Sequence, residues 1–132
     1  MATYSLELAG NLLLTKAAVA GPAGVKVVKL LVDTGSSYTI LPVEVLESVA
    51  CSPAESRERV RVVTGSGHLV LPKVSLAWLQ CLGRKLDQMV VVAYTLPVGS
   101  FADGLLGMDF LRAVNARILI TEGIIELDVD SQ

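Results

Sequence analysis

Short apolar segments rich in β-branched residues run through the 132-residue sequence, and they restrict the chain to a mostly-β fold. These segments lie at 12–14, 25–32, 60–63, 69–71, 89–93 and 118–120. Glycine, proline and polar turn residues separate them at 20–24, 64–67, 83–85, 97–100 and 122–123. This spacing predicts a closed barrel or a sandwich, built as one domain over residues 1–132.

Two short helices are also expected. Pro42 stands at a first-turn position before 43–48, and acidic residues follow it near the positive end of the helix dipole. The second helix, at 108–113, follows Gly107.

The composition argues against several classes of function. A net charge of -2, without a block of lysine or arginine, is unlike a nucleic-acid-binding surface, and no predicted helix has a basic face for a membrane. The first residues lack the pattern of a secretory signal, and every apolar run is shorter than a membrane span. We therefore expect a soluble, cytoplasmic protein that binds neither nucleic acid nor a membrane.

The metal-binding residue types are sparse. Cys51 and Cys81 have neither metal-ligand spacing nor the density of a disulfide framework, so they are expected to be free thiols. His68 is the one histidine of the sequence. We expect no cofactor and no metal.

Apolar residues make up 52% of the chain, and the mean hydropathy is +0.60. For a chain of this size, such a surplus indicates either an unusually rich core or an apolar surface that a partner chain covers.

Asp33 follows directly on an apolar segment, where loss of water raises the pKa of a carboxyl group unless donors compensate. The hydroxyls of Thr34 and Ser36 and the amides around Gly35 are the local donors. An Asx-type turn at the end of a strand uses the same residue types, so Asp-Thr-Gly alone does not establish a site.

Three motifs together resemble the aspartic proteases. Residues 30–37, Leu-Leu-Val-Asp-Thr-Gly-Ser-Ser, resemble the active-site signature of that family. Residues 104–111 are similar to its downstream apolar-apolar-Gly element, and 60–71 are placed like its flap hairpin. Each motif alone is compatible with an ordinary turn or hairpin tip, but their order and spacing agree over about residues 10–127.

The resemblance implies a retropepsin-like closed β-barrel with a flap hairpin and one or two short helices. By the same resemblance the catalytic residues are Asp33, Thr34 and Gly35, and the substrate-binding residues are Ser36 and the flap turn Thr64, Gly65, Ser66 and Gly67.

The resemblance also implies individual roles. Ser36 would bind the outer oxygen of the Asp33 carboxylate, and Thr34 would interlock with its symmetry mate. Ile40, Val62 and Leu69 would line apolar pockets for the residues that flank the cleaved bond.

The chemistry of this family needs two carboxylates that face one water, one ionised and one protonated. Aspartic proteases are the known example of such a pair, in which like charges about 3 Å apart share one proton. No other aspartate in the chain precedes Thr-Gly or Ser-Gly. The resemblance therefore predicts a homodimer that cleaves a peptide or protein substrate, similar to retroviral proteases rather than to two-lobed pepsins.

The sequence departs from the family pattern at two points. Met108 and Ser37 stand about where retroviral members carry a paired arginine and aspartate, and the hairpin lacks the tyrosine of pepsin-like flaps. A non-catalytic peptide-binding or dimerisation module on the same fold is therefore the alternative. A carboxylate metal site at Asp33 and Asp109 is a weaker one.

Residues 116–127 predict a hairpin at the carboxy terminus. The sequence leaves open whether this hairpin interleaves with a partner or completes the sheet of its own chain.

Overall fold

The computed structural model describes residues 1–128, apart from the side chain of Thr64. The strands are β1 (Ala2–Ser5), β2 (Glu7–Ala9), β3 (Leu12–Gly21), β4 (Gly24–Val32), β5 (Ile40–Leu41), β6 (Arg59–Thr64), β7 (Gly67–Ser75), β8 (Trp78–Cys81), β9 (Arg84–Asp87), β10 (Val90–Ala93), β11 (Gly104–Leu106), β12 (Arg117–Leu119) and β13 (Ile124–Leu127). The helices are α1 (Val43–Ser48) and α2 (Met108–Ala113), with a short 3-10 turn at Pro53–Glu55. The mostly-β prediction and both predicted helices are confirmed.

The larger sheet has ten strands in the order β6-β7-β10-β5-β11-β4-β3-β8-β9, with β2 paired to β3. It curls into half a barrel. Closure of the barrel, which the sequence predicted, is not seen among the strand pairs of residues 1–128.

The strand β11 lies between β4 and β5, parallel to the end of β4 and antiparallel to β5. Because β4 and β5 are consecutive in sequence, residues 33–39 that join them must cross the end of β11. We call residues 33–39 the crossing segment. It holds Asp33, Thr34 and Gly35 at the carboxyl ends of two parallel strands, beside the point where α2 begins.

The second sheet has three strands in the order β1-β13-β12. The predicted carboxy-terminal hairpin, β12 and β13, therefore completes a sheet with the amino-terminal strand of its own chain. The chain enters β12 from α2 through Asn115, whose φ is +52°. The amide of Ala116 donates to the carbonyl of Leu111 at 2.9 Å, which closes the helix end as a Schellman motif.

One apolar core joins both sheets and α2. Leu30 of β4, Leu106 of β11, Phe110 of α2 and Ile125 of β13 are fully buried in it. The helix α2 buries Phe110 and Leu111 in this core. This packing fixes the first turn of α2 beneath the crossing segment. The position of the crossing segment thus depends on the packing of this core.

The two cysteines are free thiols, as the sequence predicted. Cys51 is half-buried and Cys81 is buried. Burial raises the pKa of the Cys81 thiol to about 11, and it also raises the pKa of Cys51. Both thiols are therefore protonated at neutral pH.

Within residues 1–128, no helix has the length and apolar character needed to cross a membrane.

The two phenylalanines of the chain provide a matched test of the core. Phe110 is 0% exposed and Phe101 is 68% exposed. Phe110→Ala is expected to lower the free energy of unfolding by about 3–5 kcal/mol, because it leaves a cavity that the core cannot fill. Phe101→Ala is expected to change it by less than about 0.5 kcal/mol. Urea denaturation measures both, and similar losses in the two variants would contradict the described core.

Candidate active site

Asp33 is half-buried at the end of β4. Its backbone amide donates to the carbonyl of Leu106 at 3.0 Å, which continues the pairing of β4 with β11. One carboxylate oxygen, Oδ1, accepts the backbone amide of Gly35 at 2.9 Å. This hydrogen bond fixes the orientation of the carboxylate relative to the backbone of the loop. The crossing segment thus holds a carboxylate with its own backbone.

Gly35 allows the close approach that this hydrogen bond requires. A Cβ atom at this position would lie 3.3 Å from Asp33 Oδ1, which is tighter than an ordinary contact. The hydroxyl of Ser36 does not bind the outer oxygen of the Asp33 carboxylate, which was the role that the resemblance implied. It donates its hydrogen to the carbonyl of Tyr38 at 2.6 Å, because the segment turns back toward β5 at this residue.

Gly107 lies directly against the crossing segment. A Cβ atom here would be 2.5 Å from the carbonyl carbon and oxygen of Tyr38 and 2.9 Å from the carbonyl oxygen of Ser36. The next residue, Met108, donates its amide to that Ser36 oxygen at 2.8 Å. No side chain fits between the segment and the start of α2, so only glycine permits this contact.

Thr39 and Asp109 connect the far end of the crossing segment to α2. The hydroxyl of Thr39 donates to Asp109 Oδ1 at 2.8 Å, and its backbone amide donates to Oδ2 at 2.9 Å. The hydroxyl oxygen also accepts the amide of Gly107 at 3.1 Å. Thr39 is fully buried, so these bonds are shielded from water.

A cleft of about 410 Å³ opens above Asp33. It is lined by Asp33, Gly35, Ser36, Ser37, Tyr38, Ile40, Arg61, Val62, Val63, Leu69, Leu71, Tyr94, Leu96 and Leu105. Most of these side chains are apolar or aromatic, which is typical of a site that buries side chains of a bound molecule. Asp33 contributes a carboxyl group to this cleft.

The hairpin β6–β7 forms one wall of the cleft through Arg61, Val62, Val63, Leu69 and Leu71. Its turn, where Gly65, Ser66 and Gly67 were predicted to bind substrate, does not line the cleft in this structure. The side chain of Thr64 lies outside the described residues.

Thr34 is not among the residues that line the cleft. It lines a separate groove of about 370 Å³ together with Met108, Leu111, Arg112, Asn115, Ala116 and Ile118. We call this set of residues the Thr34 groove. The crossing segment therefore presents Asp33 and Gly35 to one surface depression and Thr34 to another.

The described part of the chain contains no group of three or more histidine, cysteine, aspartate or glutamate side chains placed to hold a metal ion. Asp109, which the metal alternative joined with Asp33, directs both carboxylate oxygens to Thr39. A single half-buried carboxylate can act as a general acid or a general base. It cannot play both roles on one water at the same time.

Thr39, Tyr94, Leu96 and Leu105 contribute to the site and were not identified from the sequence. The best available signal was a polar residue, Thr39, directly before the apolar pair of β5. Its partner is 70 residues away in the chain, which a single sequence does not reveal.

Comparison with known proteins matches residues 15–110 to the family model described as Aspartyl protease. No match emerged among curated protein sequences. The fold is similar to that in the crystal structure of a retropepsin-like aspartic protease from Rickettsia conorii, with a TM-score of 0.68 and 17% sequence identity. That alignment covers 94% of this chain and 88% of the other.

Replacement of the Thr39 hydroxyl tests the connection to α2. Thr39→Val keeps the shape of the side chain but leaves the Gly107 amide without its acceptor and removes one donor to Asp109. We expect it to lower the free energy of unfolding by about 1–3 kcal/mol. The same change at the exposed strand residue Thr3 should alter it by less than about 0.5 kcal/mol. Equal stability of the two variants in urea denaturation would show that the buried hydroxyl does not stabilise the site.

Proposed function

The chain belongs to the aspartyl protease family, as a retropepsin-like aspartic endopeptidase, and from this premise we propose that it works as a homodimer with one Asp33 from each subunit. The observation that carries the proposal is Asp33 itself. It is the one aspartate of the chain in an Asp-Thr-Gly sequence, and the Gly35 amide orients it at the cleft. Half of the required acid pair is therefore present in each chain.

In the proposed reaction, a water molecule lies between the two Asp33 carboxyl groups. The ionised group takes a proton from this water as its oxygen attacks the peptide carbonyl carbon. The protonated group donates its proton to the carbonyl oxygen, so the tetrahedral intermediate forms without a free oxyanion. Proton transfer to the nitrogen then allows the carbon–nitrogen bond to break. The proposed pair shares one proton, because two carboxylates placed side by side cannot both be ionised.

The proposed substrate is an extended peptide or protein segment whose apolar side chains enter the cleft. Ile40, Val62 and Leu69, the residues predicted to form the pockets, all line it. The hairpin β6–β7 is proposed to act as the flap, closing over the peptide through its turn at Gly65, Ser66 and Gly67 and excluding water. We expect cleavage beside hydrophobic residues.

Further parts of the proposal concern the whole chain. Residues 1–132 act as a single domain, and the half-barrel closes into a complete barrel around the site when the dimer and its substrate are assembled. Thr34 contacts its mate beside the two acids. No metal or other cofactor takes part.

Asp33→Asn tests the catalytic assignment. An amide cannot accept the proton of the water as a carboxylate does, so peptide cleavage at mildly acidic pH should fall by at least about 100-fold. The variant should remain folded and dimeric, because the new side-chain amide still offers an oxygen to the backbone N–H of Gly35. Cleavage of a peptide library measures activity, and sedimentation equilibrium measures the dimer.

Asp87→Asn is the matched control, because Asp87 is exposed on β9 and is not among the cleft residues. It should cleave like the unmodified protein. Activity retained by the Asp33→Asn variant would contradict the assignment. If a statine-type analogue binds the unmodified protein but no peptide is cleaved between about pH 4 and pH 7, the site is a peptide-binding module rather than an enzyme.

A further inference from the structure

We propose that Arg61 selects substrates that carry an acidic side chain near the cleaved bond. The inference rests on the proposed function and deepens it, because it adds a charged residue to the hydrophobic residues expected beside that bond. The chemical class of the substrate is then an extended segment whose apolar side chains enter the cleft and whose glutamate or aspartate meets Arg61 at the rim.

Arg61 is the one cation that lines the cleft, within the part of the chain that the structure describes. The other charged residue of the lining is Asp33, and the rest are uncharged. An arginine side chain presents its N–H donors in a planar fork that matches the two oxygens of a carboxylate. Beside apolar walls, such a group gives a bound peptide one specific charged partner.

The cleft meets β6 at its open edge. Three consecutive residues of this strand, Arg61, Val62 and Val63, line it, although successive side chains of a strand point to opposite faces. Within residues 1–128, β6 is the last strand of its sheet and pairs with β7 alone. A peptide in the cleft can therefore reach both faces of β6 at this edge. The Val62 face suits apolar side chains, and the Arg61 face suits an acidic one.

The charge of Arg61 is not neutralised within residues 1–128. The residue is exposed and forms no ion pair with any carboxylate of this part of the chain. The strand register places Val70 directly opposite Arg61, and the nearest residues on its own face of β6 are Arg59 and Val63. None of these neighbours is an acid. The counter-charge must therefore come from solvent or from a bound molecule.

A single carboxylate fits this position better than a polyanion. The whole chain has a net charge of -2, which does not favour a phosphate backbone. Val62 and Leu69 line the same cleft and offer apolar surface beside Arg61. A peptide that alternates apolar and acidic side chains uses both kinds of surface at once.

Peptides with fixed hydrophobic residues at the cleaved bond test the inference, with glutamate or glutamine placed in turn at each other position. At about pH 6 the glutamate is ionised. At one or more positions, kcat/KM should be about 3- to 10-fold higher for the glutamate peptide, the modest gain expected of an exposed ion pair. The difference should lie mainly in KM, because a pair remote from the reacting atoms holds substrate and transition state alike.

Variants of Arg61 identify the group responsible. Arg61→Gln should remove the preference, and Arg61→Glu should reverse it, so that a lysine peptide is cleaved better than the glutamate peptide. The matched control is Arg59→Gln, which removes the same charge from the same face of β6 at a residue outside the cleft lining. It should change the preference by less than about 2-fold. A preference that survives Arg61→Gln, or cleavage without preference at any position, would overturn the inference.

Peptide binding to the Asp33→Asn variant separates the inference from the chemistry. Fluorescence polarisation of labelled glutamate and glutamine peptides then reports binding without cleavage. The glutamate peptide should bind more tightly, and the difference should shrink in about 0.5 M NaCl. If the unmodified protein cleaves no peptide but this Arg61-dependent binding is found, the proposed function is refuted and the selection of an acidic segment stands. Absence of both cleavage and binding would refute both.

Discussion

The candidate active site depends on the contact between Gly107 and the carbonyl group of Tyr38. At a distance where a Cβ atom would lie 2.5 Å from that group, the start of α2 and the crossing segment pack backbone against backbone. The buried Thr39 hydroxyl stabilises the same contact, because it donates to the Asp109 carboxylate and accepts the amide of Gly107. Asp33 therefore stands on a loop that the core holds in place through Phe110 and its neighbours. Such support outside the reacting groups is what keeps a catalytic side chain oriented.

Much of the fold could be predicted from the sequence, because the longer strands carry their own signal. The apolar runs in β4 and β10 and the helix α2 were identified from β-branched residues and from Gly107. The very short strands β5 and β11 were not among the predicted apolar segments. They exist because their neighbours pair with them. Closure of the barrel is the opposite case, since the sequence predicted it and it is not seen among the strand pairs of residues 1–128.

The residues of the candidate site also differ in how far the sequence could predict them. Asp33 and Gly35 could be located because the loop is one continuous motif whose chemistry is local. The link between Thr39 and Asp109 could not, because it joins two residues 70 positions apart that are each ordinary in their own segment. Ser36 shows the limit of carrying over a role from a resemblance, since its hydroxyl is directed to the Tyr38 carbonyl. Local motifs predict the candidate reactive residues. The three-dimensional structure is needed to identify the other residues that hold these reactive residues in position.

A single Asp33 per chain makes subunit pairing the central claim, and a mixing experiment tests it most directly. Unmodified chains are combined with an equal amount of the Asp33→Asn variant, subunits are allowed to exchange, and the rate of peptide cleavage is compared with that of the unmodified protein at the same total concentration. If each site needs one Asp33 from each of two chains, random pairing leaves about a quarter of the activity. A rate of about half would mean that each chain works alone, and it would contradict the account.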